Sequence, residues 1–224
     1  MADTSPNVQD YLKAIYRLTR GGRQASTTRL AAALGVAPAS VTGMLKRLAG
    51  EQPPLVVYRS RHGATLTPAG ERIALETVRR HRLLELFLVR VLGYGWDEVH
   101  EEAERLEHAI SARMEARIAL LLGEPAFDPH GHPIPAPDLT LPLSRAVPLA
   151  QAAAGARGRI VSVSDADPAV LRRLSALGLL PGVGFTVVRR TAGDNLAYLR
   201  VEDSAETVVI GPALAEAIFV ELGT

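Results

Sequence analysis

The densest run of chemistry-bearing side chains is VHEEAERLEH, residues 99–108. His100, Glu104, Glu107 and His108 are spaced i, i+4, i+7 and i+8, so one helix face would present two imidazoles and two carboxylates. His81 and Glu85 repeat the i, i+4 arrangement upstream. Amphipathic helices usually place apolar side chains on such a face. Taken singly, a surface Glu is ordinary, and a lone His is more often solvated or capping than a ligand. Three histidines in step with three carboxylates on consecutive helices reverse those odds and favour a metal-binding face. The chain has no cysteine, so oxygen and nitrogen donors would have to hold the ion. A di-metal carboxylate oxidase would need a Glu-x-x-His pair on each of two helices, and neither helix has one.

A second constellation lies upstream. Ser26, Thr27 and Thr28 offer N-caps for a short helix, Arg29 to Leu34, which Gly35 ends. Another helix starts near Pro38 or Ala39 and runs through Leu48, and Pro53-Pro54 closes the region. Then come a strand from Leu55 to Arg59, a turn at Arg61-His62-Gly63 and a strand from Ala64 to Thr67. A helix, a turn, a second helix and a basic hairpin describe a winged helix-turn-helix. Its second helix would enter the major groove with Ala37, Pro38, Ala39, Ser40, Thr42 and Gly43 nearest the base edges. These small residues permit close approach and contact with thymine methyls but make few bidentate bonds, so DNA shape and water should carry much of the selectivity. Arg29, Lys46, Arg47, Arg59 and Arg61 are the candidate phosphate contacts. The bland alternative is a helical hairpin with a plain β-ribbon. Charge favours DNA: residues 1–70 carry +6, whereas residues 71–224 carry −5.

The remaining elements must position these two sets. Residues 8–20 space Val8, Tyr11, Leu12, Ile15, Tyr16 and Leu18 as a helix, which Gly21-Gly22 stops. Thr67-Pro68 opens a long helix for which a break near His81 is admissible, and a further helix covers Trp96 to about Leu122. Between Pro125 and Pro148 lie seven of the fifteen prolines, followed by QAAAGARG. This reads as a linker with an ordered turn at Asp128–Pro135 and a flexible end. From Gly158 onward the short strands GRIVSVS, GFTVVRRT, LAYLRV and ETVVIG alternate with the helical segments PAVLRRLSALGL and PALAEAI, the pattern of a small β-barrel.

No apolar run reaches the roughly 18 residues of a spanning helix, and MADTSPN shows no secretory signal. No membrane partner is expected, and a cytoplasmic location is the default.

Taken together, DYLKAIYRL, SVTGMLKRL, LTPAGE, RHRLLELFL, VHEEAERLEH and PHGHPIP resemble the diphtheria-toxin repressor family of iron- and manganese-dependent regulators. The resemblance covers nearly the whole chain. It implies a mainly α N-terminal part, with a winged helix-turn-helix in 1–70 and a helical metal-binding and dimerisation domain in 71–135. A linker in 136–156 and an all-β SH3-like domain in 157–224 would follow. It implies a primary metal site at Asp10, Glu104, Glu107 and His108, and an ancillary site at His81, Glu85 and His100. Asp165 is the first candidate for a ligand from the SH3-like domain, and Asp167 the second.

Iron-type members carry methionine and cysteine where this chain has Asp10 and Glu104, and manganese-type members carry carboxylates there. Oxygen donors suit Mn²⁺, so Mn²⁺ ranks ahead of Fe²⁺. Lys13 departs from the manganese pattern, which often has an acid at that position. The resemblance further implies a metal-activated repressor of metal-uptake genes, not an enzyme, that binds double-stranded operator DNA as a homodimer. Ile110, Met114, Ile118 and Leu121 are candidates for the dimer contact or the intrasubunit core. The competing function is a winged-helix regulator answering an organic ligand, with the His/Glu face structural. A metal-dependent enzyme or storage protein is the third.

Overall fold

The computed structural model describes residues 4–19, 22, 24–142, 144–191, 193–202 and 206–223. Gly21, half of the expected first helix stop, lies outside the described residues. The chain divides into two compact units, Met1–Arg80 with Pro135–Thr140 and His81–Ile134 with Leu141–Thr224.

In the first unit, α1 (Pro6–Thr19) packs Val8, Tyr11, Leu12 and Ile15 into a core with Leu30, Val41, Leu45 and Leu48. Helix α2 (Thr27–Leu34) starts two residues earlier than the pattern predicts, because Ser26 caps it by accepting a bond from the Arg29 amide. Gly35, at φ 65°, ends it by donating its amide to the Ala31 carbonyl. Helix α3 (Pro38–Ala49) has Pro in its first turn. The antiparallel wing pairs β1 (Val56–Arg59) with β2 (Gly63–Leu66), and Ala25 joins its edge through two bonds to Ala64. Gly63 cannot be replaced cheaply: φ is 100°, and a Cβ would collide with the Ala25 carbonyl.

Helix α4 (Pro68–Leu92) is capped by Thr67, whose hydroxyl accepts from the Gly70 amide. It runs 25 residues, without the break that the pattern admits near His81. No Gly or Pro follows Gly70 in it, and Ala74 and Leu83 to Leu88 bury its apolar side along most of its length. No single helix among the described residues is long and apolar enough to cross a membrane.

The second unit corrects another expectation. The helix expected from Trp96 to Leu122 is two, α5 (Val99–Leu106) and α6 (Ala112–Leu121). The chain turns at Glu107–Ile110, and Ser111 restarts the helix by accepting from the Met114 amide at 3.2 Å. Leu83, Leu84, Leu86 and Leu88 pack with Val99, Ala103, Ile118, Ala119 and Ile134.

The β domain is a six-stranded antiparallel sheet in the order β3-β8-β4-β5-β6-β7. Its strands are β3 (Val147–Pro148), β4 (Arg157–Val163), β5 (Gly184–Arg190), β6 (Ala197–Val201), β7 (Thr207–Ile210) and β8 (Ile218–Leu222). Helices α7 (Pro168–Ala176) and α8 (Pro212–Ala217) lie between strands, and the sequence reading had missed β3 and β8. Part of the segment read as linker belongs to this core: Leu149 and Ala152 are buried in it, and Arg190 clamps both their carbonyls.

The β domain is docked on the helices of its unit. Trp96 packs against the β core, the Val163 amide donates to the His130 carbonyl at 2.9 Å, and Arg172 pairs with Asp97 at 3.1 Å.

Candidate metal centre and nucleic-acid interface

Because α4 is unbroken, His81 and Glu85 stand one turn apart and face α5. Glu85 is fully buried, and its Oε1 lies 3.0 Å from His81 Nε2 and 3.1 Å from His100 Nδ1. The two imidazoles meet edge-on, with His81 Nε2 3.2 Å from His100 Nδ1. Asp165, from the loop after β4, brings Oδ2 to 3.6 Å from His100 Nδ1. His81, Glu85, His100 and Asp165 thus offer four ligand atoms within 4.8 Å of one another. The short Asp165 side chain does reach the helical residues. Asp167 does other work, capping α7 by accepting from the Ala169 amide.

Glu107 closes α5 and is also buried. Its Oε2 lies 2.6 Å from His81 Nδ1, and its Oε1 lies 3.4 Å from His108 Nε2. Glu104, partly exposed, is 3.6 Å from His100 Nε2. His108 lies just past the helix end, in the turn, so its approach to Glu107 comes from the helix break and not from helical spacing. Asp10 sits half-buried on α1, and Lys13, one turn on, is buried.

Burial alone would push the Glu85 carboxyl up. The His81 charge, with bonding from His100, His130 and His81, outweighs it and holds the group well below the usual carboxylate range. A buried anion ringed by imidazole nitrogens fits a cation. The donor set, imidazole nitrogen and carboxylate oxygen with no sulfur, fits a divalent ion such as Mn²⁺ or Fe²⁺.

Sequence reasoning took Asp128–Pro135 for an ordered turn and missed its ligand chemistry. His130 is buried, stacks on Trp96 and bonds Nε2 to the Trp96 carbonyl at 2.7 Å. Burial works against its charged form, but Glu85, Asp128 and that carbonyl outweigh it and raise its pKa to about 9. The signal was present in the sequence: an Asp and two His within five residues.

On the DNA-binding side, Ala37, Pro38, Ala39, Ser40 and Gly43 are exposed along the start of α3. Thr42 is half-buried and returns its hydroxyl to the Pro38 carbonyl at 3.1 Å. Lys46 and Arg47 are exposed on the last turn of α3, and Arg47 also pairs with Glu51 at 3.6 Å. Arg29 is exposed on α2, Arg59 at the end of β1, and Arg61 in the wing turn at φ 66°.

Three family models match consecutive stretches. The iron dependent repressor N-terminal DNA binding domain matches residues 3–64, the metal binding and dimerisation domain of the same family matches 67–136, and the FeoA domain matches 147–222. The chain belongs to the iron-dependent repressor family.

Relatives of the repressor agree. It is 30% identical to the iron-dependent repressor IdeR of Mycobacterium leprae, over 99% of each chain. It is 36% identical to the transcriptional regulator MntR of Lysinibacillus sphaericus, over 53% of this chain and 83% of that one. A solved manganese-dependent transcriptional repressor in complex with manganese superposes with a TM-score of 0.90 at 40% identity, covering 95% of this chain and 98% of that one. This family member is a metal-dependent DNA-binding transcriptional repressor and not an enzyme. Its C-terminal domain is the SH3-like FeoA domain.

Proposed function

We propose that this repressor is activated by Mn²⁺, with Fe²⁺ as the second choice, and that it binds operator DNA as a homodimer to control metal-uptake genes. We assign the winged helix-turn-helix to 1–70, the helical metal-binding and dimerisation domain to 71–135, a linker to 136–156 whose Leu149 and Ala152 pack into the β core, and the SH3-like domain to 157–224. A cytoplasmic site of action goes with binding an operator.

Glu107 carries the metal assignment. Its buried carboxylate offers one oxygen to His81 and the other to His108, so it faces both ligand sets named from the sequence. Asp10, Glu104, Glu107 and His108 hold the primary ion, and His81, Glu85, His100 and Asp165 hold the ancillary one. Asp10 enters through the family pattern. The preference for manganese rests on carboxylates at positions 10 and 104, where sulfur donors would favour later metals.

The bound cation supplies positive charge that lets clustered carboxylates share one centre. Without it, Asp10, Glu104 and Glu107 repel one another. With the carboxylates drawn together, α1, in the same unit as recognition helix α3, is tied to the helices that carry Glu104 to His108. The spacing of two recognition helices in a dimer is then fixed to successive major grooves. Ala37, Pro38, Ala39, Ser40 and Thr42 face bases, while Arg29, Lys46, Arg47, Arg59 and Arg61 meet phosphates.

Operator affinity followed through a Mn²⁺ titration tests the reading. Wild type should gain affinity steeply with Mn²⁺, whereas Glu104→Ala, at a partly exposed side chain that costs little stability, should need at least about tenfold more metal, as even outer-shell changes cost 10–100-fold. Equal, metal-independent binding by both proteins would sink it.

A further inference from the structure

We propose that the outward face of the β domain holds a binding site for a small organic anion, whose phosphate or carboxylate head sits between Arg157 and Arg200. None of its residues is a metal ligand assigned above, and it does not depend on those sites. Strand pairing sets the row. Arg157 of β4 faces Thr186 of β5, Thr186 faces Arg200 of β6, and Arg200 faces Thr207 of β7. Directly paired residues share one side of a sheet. Their neighbours along the strands, Phe185, Val187, Leu199 and Val201, are buried in the β core, so the row points outward. Adjacent strands lie about 4.8 Å apart, which puts the two arginine backbones roughly 10 Å from each other across the threonine. Two guanidinium arms at that spacing close on one oxyanion from opposite sides, with the Thr186 hydroxyl as a further donor between them.

The row carries uncompensated charge. Among the described residues, the side chains of Arg157 and Arg200 make no ion pair and no hydrogen bond. The acids nearby serve the next row. Arg159 is the register partner of Glu221 on β8, pairs with Glu202 at 3.8 Å and donates to the Gly182 carbonyl. Glu202 reaches Arg159 across Gly184, which has no side chain in the way. Two acids thus flank one arginine, and Arg157 and Arg200 are left without a counter-ion.

A cavity of about 760 Å³ opens over both rows, its lining including Arg157, Thr186, Arg200, Glu202 and Glu221. Ligand pockets run from roughly 300 to 1,000 Å³, so there is room for more than a bare phosphate. Gly184 and Gly223 also line it and leave a floor of backbone on which the body of a ligand can lie. The two acids oppose a polyanion, because like charges set against each other exclude wrong partners. The arrangement therefore favours a small ligand with one charged end. A guanidinium fork accepts a carboxylate or a phosphate, so the head group is the part that experiment must name.

Calorimetric titration of the full-length protein provides the test, with metal stripped so that no bound cation captures the anion. The ligands are phenyl phosphate and benzoate, with inorganic phosphate and acetate as the bare heads. Phenyl phosphate or benzoate should saturate one site per chain, and the tighter of the two names the head. Arg157→Gln and Arg200→Gln should each weaken that binding at least about tenfold, the size of a lost hydrogen bond to a charged group. Both side chains are exposed, so the fold should persist, and an unchanged melting temperature would verify it. Arg173→Gln removes the same charge from an exposed position on α7 and should bind as wild type does. No saturable binding of any of these ligands at millimolar concentration would overturn the proposal. So would wild-type affinity in both row variants, an equal loss in Arg173→Gln, or bare heads that bind as tightly as their phenyl counterparts.

Discussion

Each buried carboxylate in the cluster is held by imidazoles and not by lysine or arginine alone, and that sets how the protein answers to pH. In the metal-free protein, the His130 pKa is about 9, against an ordinary value near 6.5. A raised pKa stabilises the fold fully below the unfolded value, and the contribution is lost as pH rises through the folded one. The melting temperature of chelator-treated protein should therefore fall between pH 7 and 9, and a flat or rising profile there would contradict the His130 environment. Sequence spacing picked out His81, Glu85, His100, Glu104, Glu107 and His108 by their helical periodicity, although His108 meets Glu107 only because the helix ends before it. It could not find His130 and His132, whose convergence depends on an Asp-capped turn, nor show which of Asp165 and Asp167 was spoken for as a helix cap.

At the level of elements, the winged helix was legible because every boundary carries a local signal: Ser26, Gly35, Pro38, Gly63 and Pro68. The break between α5 and α6 was not. Its cap is one serine inside a continuous run of helix formers, and apolar spacing persists across it. Strand β8 was missed because it follows α8 directly, with no Gly or Pro between them to mark the change from period 3.6 to period 2. The turn that joins helices to sheet is brittle at one glycine. Gly131 has a positive φ, and a Cβ there would press into the Val161 carbonyl. Gly131→Ala should destabilise the protein by about 1–3 kcal/mol, the range for strained backbone. Differential scanning calorimetry would check the size. Ordinary melting behaviour in this variant would mean that the β domain does not seat on the turn.

Among the described residues, α6 presents an apolar face that its own unit leaves uncovered. Leu120 and Leu121 on α6 are each 65% exposed, and Met114 and Leu92 are about half exposed, whereas Ile118 is buried in the intrasubunit core. Apolar spacing alone does not tell Ile118 from Met114 and Leu121, because the spacing is shared and only packing divides them. A dimer formed through this face would require its apolar character. Leu121→Glu should therefore shift the protein toward monomer in sedimentation velocity at micromolar concentration and weaken operator binding at least about tenfold, roughly 1.4 kcal/mol. An intact dimer in that variant would place the contact elsewhere.

The central claim, that metal and DNA binding are coupled through one molecule, is tested most directly by closing the thermodynamic cycle. Operator affinity is measured with and without saturating Mn²⁺, and Mn²⁺ affinity with and without operator. Linkage requires the two ratios to be equal and, for a repressor driven by metal, well above one, with about 5–150-fold the usual range of such coupling. An operator affinity unchanged by Mn²⁺, with the ion bound, would contradict the account.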